Sequence, residues 1–187
     1  MSRRVVVTGL GTISPVGNTV AEAWSAVCEG RSGIRPVTAY DVSAYSTRIA
    51  GTIIDFDATQ WLSAKDVKRT DEFIQFGVAA AKQAVQDAGL HITDENRERI
   101  GVCVGSGIGG IGTIEAECRV LHASGPRRLS PFFVPSSIIN MTSGYISIDL
   151  GITGPNLATV SACTTGTHAI GMAYRMIQYG DADIFIA

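Results

Sequence analysis

The chain has 187 residues, 45% of them hydrophobic, and its 15 basic and 17 acidic side chains give a formal net charge of −2. This length is enough for one domain, and the balance of charged and apolar residues argues against disorder, nucleic-acid binding and attachment to a membrane surface. No run approaches the roughly 20 apolar residues of a membrane span, and the N-terminus lacks the pattern of a signal peptide. The four cysteines have no zinc-ligand spacing, so we expect free thiols in a reducing cytoplasm, and neither a disulfide framework nor a metal site.

The first half of the chain predicts alternating strands and helices. A β-branched run at 4–8 predicts a strand, and a capping box at Thr19–Glu22 begins a helix that ends near Gly30. A second strand is predicted at 49–54. The most regular helical pattern begins at Thr70 and ends at Gly89.

The second half continues the alternation, which predicts an α/β layered sheet in one continuous unit. Residues 99–104 predict a strand, 114–121 a short helix, and three prolines after it an irregular loop. Residues 136–150 are ambiguous, but their length and the glycine at their end favour a helix. The last predicted strand, 182–187, stops at its most apolar point, so we expect the chain to be the N-terminal part of a longer protein.

Cys163 is the leading candidate for a catalytic residue. It follows a predicted strand at 157–162 and precedes a helical pattern that ends at Gly180. The start of a helix offers unsatisfied N–H groups and positive potential, which favour the nucleophilic thiolate. The same N–H groups can stabilise an oxyanion. The arrangement is that of a nucleophile elbow with sulfur as the attacking atom. A buried structural cysteine is the alternative.

Gly105–Gly110 matches G-x-G-x-x-G between a predicted strand and a helix, which raises dinucleotide binding as a hypothesis. That fold needs an acidic residue at the end of the next strand, about 20 residues further on. The chain there contains prolines and no strand pattern, so we interpret the glycines as allowing a close approach to a substrate or another chain.

The remaining candidates have ordinary interpretations. His168 lies about 140° around the predicted helix from Cys163, so we interpret it as a packing or hydrogen-bonded residue. Cys28, Cys103 and Cys118 are predicted to be buried thiols. Basic residues cluster at 65–69 and 127–128, a pattern that is usually a solvated surface but can guide an anionic partner.

The sequence around Cys163, Val160-Ser161-Ala162-Cys163-Thr164-Thr165-Gly166-Thr167-His168, resembles the active-site signature of the β-ketoacyl-acyl carrier protein synthases, closest to the synthase II type. Further segments share the likeness, so that it covers the whole chain: 6–17, 105–110, 131–135, 138–141 and 180–183. The resemblance implies the thiolase-like fold, layered α-β-α-β-α in the complete enzyme, with residues 1–187 as its N-terminal half. It also implies a homodimer and no cofactor.

The resemblance assigns roles to individual residues. It implies that Cys163 accepts the acyl chain, with its backbone N–H as one oxyanion donor. The acyl pocket would be lined by Ile108, Phe133 and Ile138, partly across the dimer. The acidic acyl carrier protein, loaded with acyl or malonyl groups, would dock on Lys65, Lys68, Arg69, Arg127 and Arg128. The family's catalytic histidines and lysine lie in a C-terminal half that these residues do not include, so we expect the chain alone to be inactive in condensation.

Two further hypotheses remain open. A thiolase-fold acyltransferase could use coenzyme A thioesters, although the basic residues favour a protein carrier. A non-catalytic partner subunit is a second possibility, although that role needs no thiol at position 163.

Overall fold

The computed structural model describes residues 3–187. Within them the α-helices are α1 Val20–Cys28, α2 Ala64–Val67, α3 Glu72–Asp87, α4 Ile111–Ser124, α5 Phe133–Ser137, α6 Met141–Leu150 and α7 Thr165–Tyr179. The strands are β1 Ile34–Pro36, β2 Ile49–Gly51, β3 Ile100–Cys103, β4 Asn156–Leu157 and β5 Ile184–Ile186. None of the described helices is both long and apolar enough to cross a bilayer.

The central element is a parallel three-stranded sheet in the order β4-β3-β5. All four residues of β3 are buried, with Val102 opposite Asn156 on one side and Ile186 on the other. Helices α6 and α7 pack on this sheet, and α3 packs on α6. The apolar core is formed by Leu62, Ile74, Val78, Ala81, Ile100, Val102, Ile146, Ile152 and Ile186. The predicted α/β class is confirmed, and a separate antiparallel pair, β1 and β2, lies outside this sheet.

The helix signals in the sequence are confirmed. Thr19 caps α1 by accepting a hydrogen bond from the Glu22 N–H, and Asp71 caps α3. The ambiguous region after residue 136 is helical, as favoured, although it divides between α5 and α6. The prediction of an irregular loop is wrong around Pro135, which lies within α5. Proline is tolerated there because the first N–H groups of a helix have no intrahelical partner.

The predicted strand at residues 4–8 is wrong, because no described neighbour pairs with it. An apolar cavity of 320 Å³ separates this segment from β5 and α7. The chain is held instead against α3. Leu10 N–H donates to Asp87 at 2.9 Å, and Thr12 N–H donates to Gln83 at 3.2 Å. Gly11 packs directly on the backbone of α3, where a side chain would collide with the Ala80 carbonyl.

The strand predicted at 157–162 is also shorter than expected, since only Asn156 and Leu157 pair with β3. After Leu157, the buried side chain of Ser143 in α6 takes the hydrogen bonds that a continued strand would have made with the end of β3. Its hydroxyl accepts from Val104 N–H at 2.9 Å and lies 2.8 Å from Val104 O and 2.6 Å from Leu157 O. The chain after Leu157 therefore leaves the ladder and turns toward Cys163.

Candidate active site

Cys163 lies on a 3-10 turn, Ala162–Thr164, that leads directly into α7. Its side chain is exposed. The preceding residue, Ala162, has φ +51°, in the left-handed region that non-glycine residues rarely adopt. The turn therefore reverses the chain sharply between β4 and α7 and presents the sulfur to solvent at the start of a helix. This is the nucleophile-elbow arrangement that the sequence predicted.

Hydroxyl groups around the turn fix its shape. The Thr165 hydroxyl accepts from Ser161 N–H at 2.9 Å and donates to Ala162 O at 2.8 Å. Thr159 donates to Thr165 O at 3.1 Å. Sequence reasoning missed Thr159 and Thr165; the available signal was a threonine in the first turn of a helix, where its hydroxyl can bond nearby backbone.

His168 is hydrogen-bonded, as predicted, with Nδ1 2.6 Å from the Ser161 hydroxyl. This contact ties the first turn of α7 to the segment just before Cys163 and gives the imidazole a partner other than the thiol of Cys163. His122 lies in the last turn of α4, a position that favours a cation without implying catalysis. Among residues 3–187, no three histidine, cysteine or acidic side chains are grouped as metal ligands would be.

The other cysteines differ in exposure. Cys103 in β3 is buried, as predicted, and burial raises the pKa of its thiol. The predictions for Cys28 and Cys118 are wrong, because both are exposed. Cys28 is the last residue of the short α1, and Cys118 belongs to α4, which buries none of its residues. The helical pattern identified the elements but not the faces that other parts of the chain cover.

The glycine segment, residues 105–110, lies against the turn that carries Cys163. A side chain at Gly105 would collide with Thr159 O, and one at Gly107 would lie 3.6 Å from the Ala162 Cα. The segment follows β3 and leads into α4, but α4 is followed by the 3-10 turn Pro126–Arg128 and by no strand. The sheet context of a dinucleotide fold is therefore missing at this point. The glycines do allow a close approach, as expected. The segment that Gly105 and Gly107 approach is the turn of Cys163 in the same chain.

The three residues expected to line an acyl pocket occupy two neighbouring segments. Ile108 belongs to the glycine segment and is 65% exposed, while Ile138 ends α5 and is 41% exposed. Phe133 begins α5 and is half-buried. The segments are joined where Gly110 N–H donates to Ser137 O at 3.0 Å. Ile108 thus lies on a segment that packs against the turn of Cys163 on one side and is bonded to the segment of Ile138 on the other.

The five predicted docking residues form two basic patches. Lys65 and Lys68 are exposed beside α2, and Arg127 and Arg128 are exposed on the 3-10 turn after α4. Arg69 lies between the patches, with its guanidinium 4.3 Å from the centre of the Phe132 ring. A cavity of 200 Å³ beside this stack is lined by residues from both sides, among them Lys68, Arg69, Glu117 and Ser130.

Comparison with known proteins agrees with this geometry. The family profile described as "Beta-ketoacyl synthase, N-terminal domain" matches residues 2–187, and the chain belongs to this family. It is 55% identical over 185 residues to a "3-oxoacyl-[acyl-carrier-protein] synthase 2" of Vibrio harveyi. That match covers 99% of this chain and 45% of the relative, so the chain spans about half the length of the curated relatives it matches.

Solved structures show the same fold. "The ishigamide ketosynthase/chain length factor" superposes with a TM-score of 0.87 at 30% identity, covering 99% of this chain and 46% of that one. A chain of the structure titled "type II PKS acyl-carrier protein in complex with its ketosynthase bound to the hexaketide" superposes with a TM-score of 0.79 at 27% identity. The match covers 96% of this chain and 48% of that one. The predicted thiolase-like ketosynthase fold is confirmed, and the chain corresponds to somewhat less than half of each of these structures.

Proposed function

We propose that this chain is the N-terminal half of a 3-oxoacyl-acyl carrier protein synthase of fatty acid biosynthesis, an acyltransferase acting in the cytoplasm. One observation carries the proposal: an exposed cysteine stands on a strained turn at the start of a helix, with the glycine segment packed against that turn. The named relatives, at 46–55% identity over nearly the whole chain, support the substrate class.

The chemistry assigned to the chain is the first half of a condensation. The Cys163 thiolate attacks the carbonyl carbon of an acyl thioester, and a tetrahedral oxyanion forms. Backbone N–H groups at the start of α7, that of Cys163 first among them, are placed to stabilise this charge. Collapse of the intermediate breaks the carbon–sulfur bond to the carrier, so that the acyl group stays on Cys163. The carrier leaves as a thiolate and is then protonated.

The second half of the reaction needs groups that residues 3–187 do not bring to Cys163. Loss of carbon dioxide from a malonyl thioester leaves an enolate. Its attack on the carbonyl carbon of acyl-Cys163 forms a carbon–carbon bond, breaks the carbon–sulfur bond to release the Cys163 thiolate, and lengthens the acyl chain by two carbons. That enolate oxygen requires hydrogen-bond donors. Neither of two candidate histidines is placed for this role, since His168 is hydrogen-bonded to the Ser161 hydroxyl and His122 lies in the last turn of α4. We therefore assign decarboxylation to the remainder of the complete protein.

The surface of α7 supports the same division. Its alanines pack on the sheet, while Ile170, Met172, Tyr174 and Tyr179 are between 41% and 71% exposed. Val160, in the chain before Cys163, is 60% exposed. These residues form two groups: Ile170 and Tyr174 line the cavity beside residues 5–10, and Val160, Met172 and Tyr179 line another. Exposed apolar groups of this kind mark interaction surfaces. We propose that the rest of the protein and a second copy, in a homodimer, cover these two surfaces.

Acyl transfer provides the test. Purified chain is incubated with acyl groups carried on acyl carrier protein or on coenzyme A, and mass spectrometry follows the mass added at Cys163. We expect slow acylation, faster from the protein carrier, none in Cys163→Ser, and no 3-oxoacyl product when malonyl carrier is added. Equal rates from both donors favour the coenzyme A hypothesis. No acylation from either donor contradicts the proposal, and detection of 3-oxoacyl product contradicts the division into halves.

The docking surface is tested separately by charge reversal. Lys65→Glu and Arg127→Glu remove attraction for an acidic carrier, so we expect carrier binding to weaken, most clearly at low salt where screening is least. Arg119→Glu is the matched control, because Arg119 is exposed on α4 and already paired with Glu115. Binding that is unchanged in both patch variants, or equally weakened in the control, contradicts the assignment of these residues.

A further inference from the structure

Helix α4, which follows the glycine segment, has no capping side chain of its own. Its N-cap position is Gly110, and its first turn contains no acidic residue. The N-terminal N–H groups of a helix need acceptors, and their positive potential favours a negative charge. Both requirements are met from another helix.

Asp71 supplies this cap while it also caps its own helix. One carboxylate oxygen accepts from Phe73 N–H at 3.3 Å, in the first turn of α3. The other accepts from Thr113 N–H at 3.2 Å and from the Thr113 hydroxyl at 2.6 Å, in the first turn of α4. A single carboxylate therefore fixes the starting points of two helices relative to each other.

The glycine segment is held at both of its ends by close packing against other parts of the chain. At its far end Gly110 lies in a space where a methyl group would be 3.0 Å from the Asp71 carboxylate and 2.9 Å from the Ser137 Cα. At its near end Gly105 packs against the Thr159 carbonyl, in the segment that leads to Cys163, where an added methyl group would collide with that oxygen. Ile108 lies between these two anchor points with its side chain largely exposed. A shift at the start of α4 must therefore move Ile108 relative to the cysteine.

We propose that Asp71 is a positioning residue for acyl-chain selectivity: by capping α4 it sets the position of Ile108 relative to Cys163. This inference rests on the proposed function, since it concerns the acyl group that Cys163 accepts. Asp71 does not touch the sulfur. Its effect falls on the choice between long and short acyl chains, and the reactivity of the thiol is unaffected.

The test compares Asp71→Asn with wild type in the full chain. Asparagine keeps one oxygen for the α3 cap but loses the charge and the second acceptor. Asp57→Asn is the matched control, because Asp57 makes the same pair of bonds to Thr59, at 2.9 Å to the N–H and 2.6 Å to the hydroxyl, in a turn before α2. Rates of Cys163 acylation are measured with dodecanoyl and butanoyl carrier donors, together with the rate of alkylation by iodoacetamide.

We expect Asp71→Asn to lower the ratio of dodecanoyl to butanoyl rates about tenfold, while iodoacetamide alkylation stays within about twofold of wild type. Asp57→Asn should leave the ratio unchanged. Thr113→Val removes one bond and keeps the α3 cap, so it tests the proposal if Asp71→Asn does not fold, with an expected change of about threefold.

If the ratio of dodecanoyl to butanoyl rates is unchanged in Asp71→Asn, the inference is overturned and the proposed function stays intact. If that variant does not fold, an unchanged ratio in Thr113→Val has the same meaning. So does a parallel fall in all three rates, which indicates general damage. A wild-type chain that accepts no acyl group from either donor overturns the proposed function, and this inference with it.

Discussion

Cys163 gains its exposure from the residue before it. Ala162 adopts a left-handed backbone conformation, which costs roughly 1–2 kcal/mol for a residue other than glycine. The hydrogen bonds of Thr165 on either side of Ala162 offset that cost. The result is an exposed thiol on a turn whose backbone is anchored on both sides of Ala162.

The position of the thiol predicts its reactivity. Cys28 and Cys118 are also exposed. Differences in alkylation rate among the three cysteines therefore report the effect of the helix start on thiol reactivity more than differences in solvent access. Stabilisation of a negative charge at a helix start is about 0.3–1 kcal/mol, so we expect iodoacetamide to alkylate Cys163 about two- to fivefold faster than Cys118. Cys28, at the C-terminal end of α1, should react more slowly still. Peptide mapping by mass spectrometry measures each rate, and equal labelling would remove the claim of an activated thiol.

At the scale of elements, α6 is held in place by two adjacent residues with opposite properties. Thr142 is 2% exposed, and its hydroxyl has no hydrogen-bond partner among the described residues. Its methyl group packs directly on Gly77 of α3. The next residue, Ser143, is completely buried and joins α6 to the ends of β3 and β4 through its hydroxyl.

This contrast predicts opposite effects of removing the two hydroxyls. Thr142→Val keeps the shape and the methyl contact but removes an unsatisfied buried oxygen, so the free energy of unfolding should rise by about 1 kcal/mol. Ser143→Ala leaves the backbone groups of Val104 and Leu157 without a partner and should lower it by roughly 1–3 kcal/mol. Urea unfolding measures both. Destabilisation by Thr142→Val would show that its hydroxyl has a partner in solution.

At the scale of the whole molecule, an ion-pair cluster connects the two ends of the chain. Asp183, just before β5, pairs with Arg99 at 3.1 Å and with Arg3 at 2.5 Å. Arg99 also donates to the carbonyls of Gly180 and Asp181, which places the end of α7 beside the start of β3. The hydrogen bonds from Arg99, then those from Arg3, lower the pKa of Asp183 from 3.8 to about 2.

The depressed pKa of Asp183 predicts a dependence of stability on pH. The carboxylate is favoured in the folded state, so its contribution is fully present above pH 3.8 and is lost as the pH falls through about 2. Asp183→Asn should therefore be less stable than wild type at pH 5, and the difference should shrink as the pH falls toward 2 and disappear below it. Urea unfolding across this range measures the difference. Asp94→Asn, which removes an exposed ion pair with Arg97, is the control. A difference independent of pH would show that the charge is not responsible.

The sequence predicted the helices better than the strands. Helix ends depend on local signals, such as Thr19 with Glu22 at the start of α1 and Gly180 at the end of α7, so they can be identified from neighbouring residues. A strand needs a partner that lies far away in the chain. Residues 4–8 have the composition of a strand but pair with no strand in the part of the chain that the structure describes. The strand toward Cys163 ends at Leu157, whose carbonyl accepts from the Ser143 hydroxyl.

The sequence by itself determined the main helices, the α/β class and the position of Cys163 at the start of a helix, because these follow from periodicity and capping between near neighbours. Only the tertiary structure decided that the glycine segment contacts the cysteine turn, that Cys28 and Cys118 are exposed, and that Asp71 caps two helices. Each of these depends on residues tens of positions apart, and such contacts are set by the packing of the whole chain.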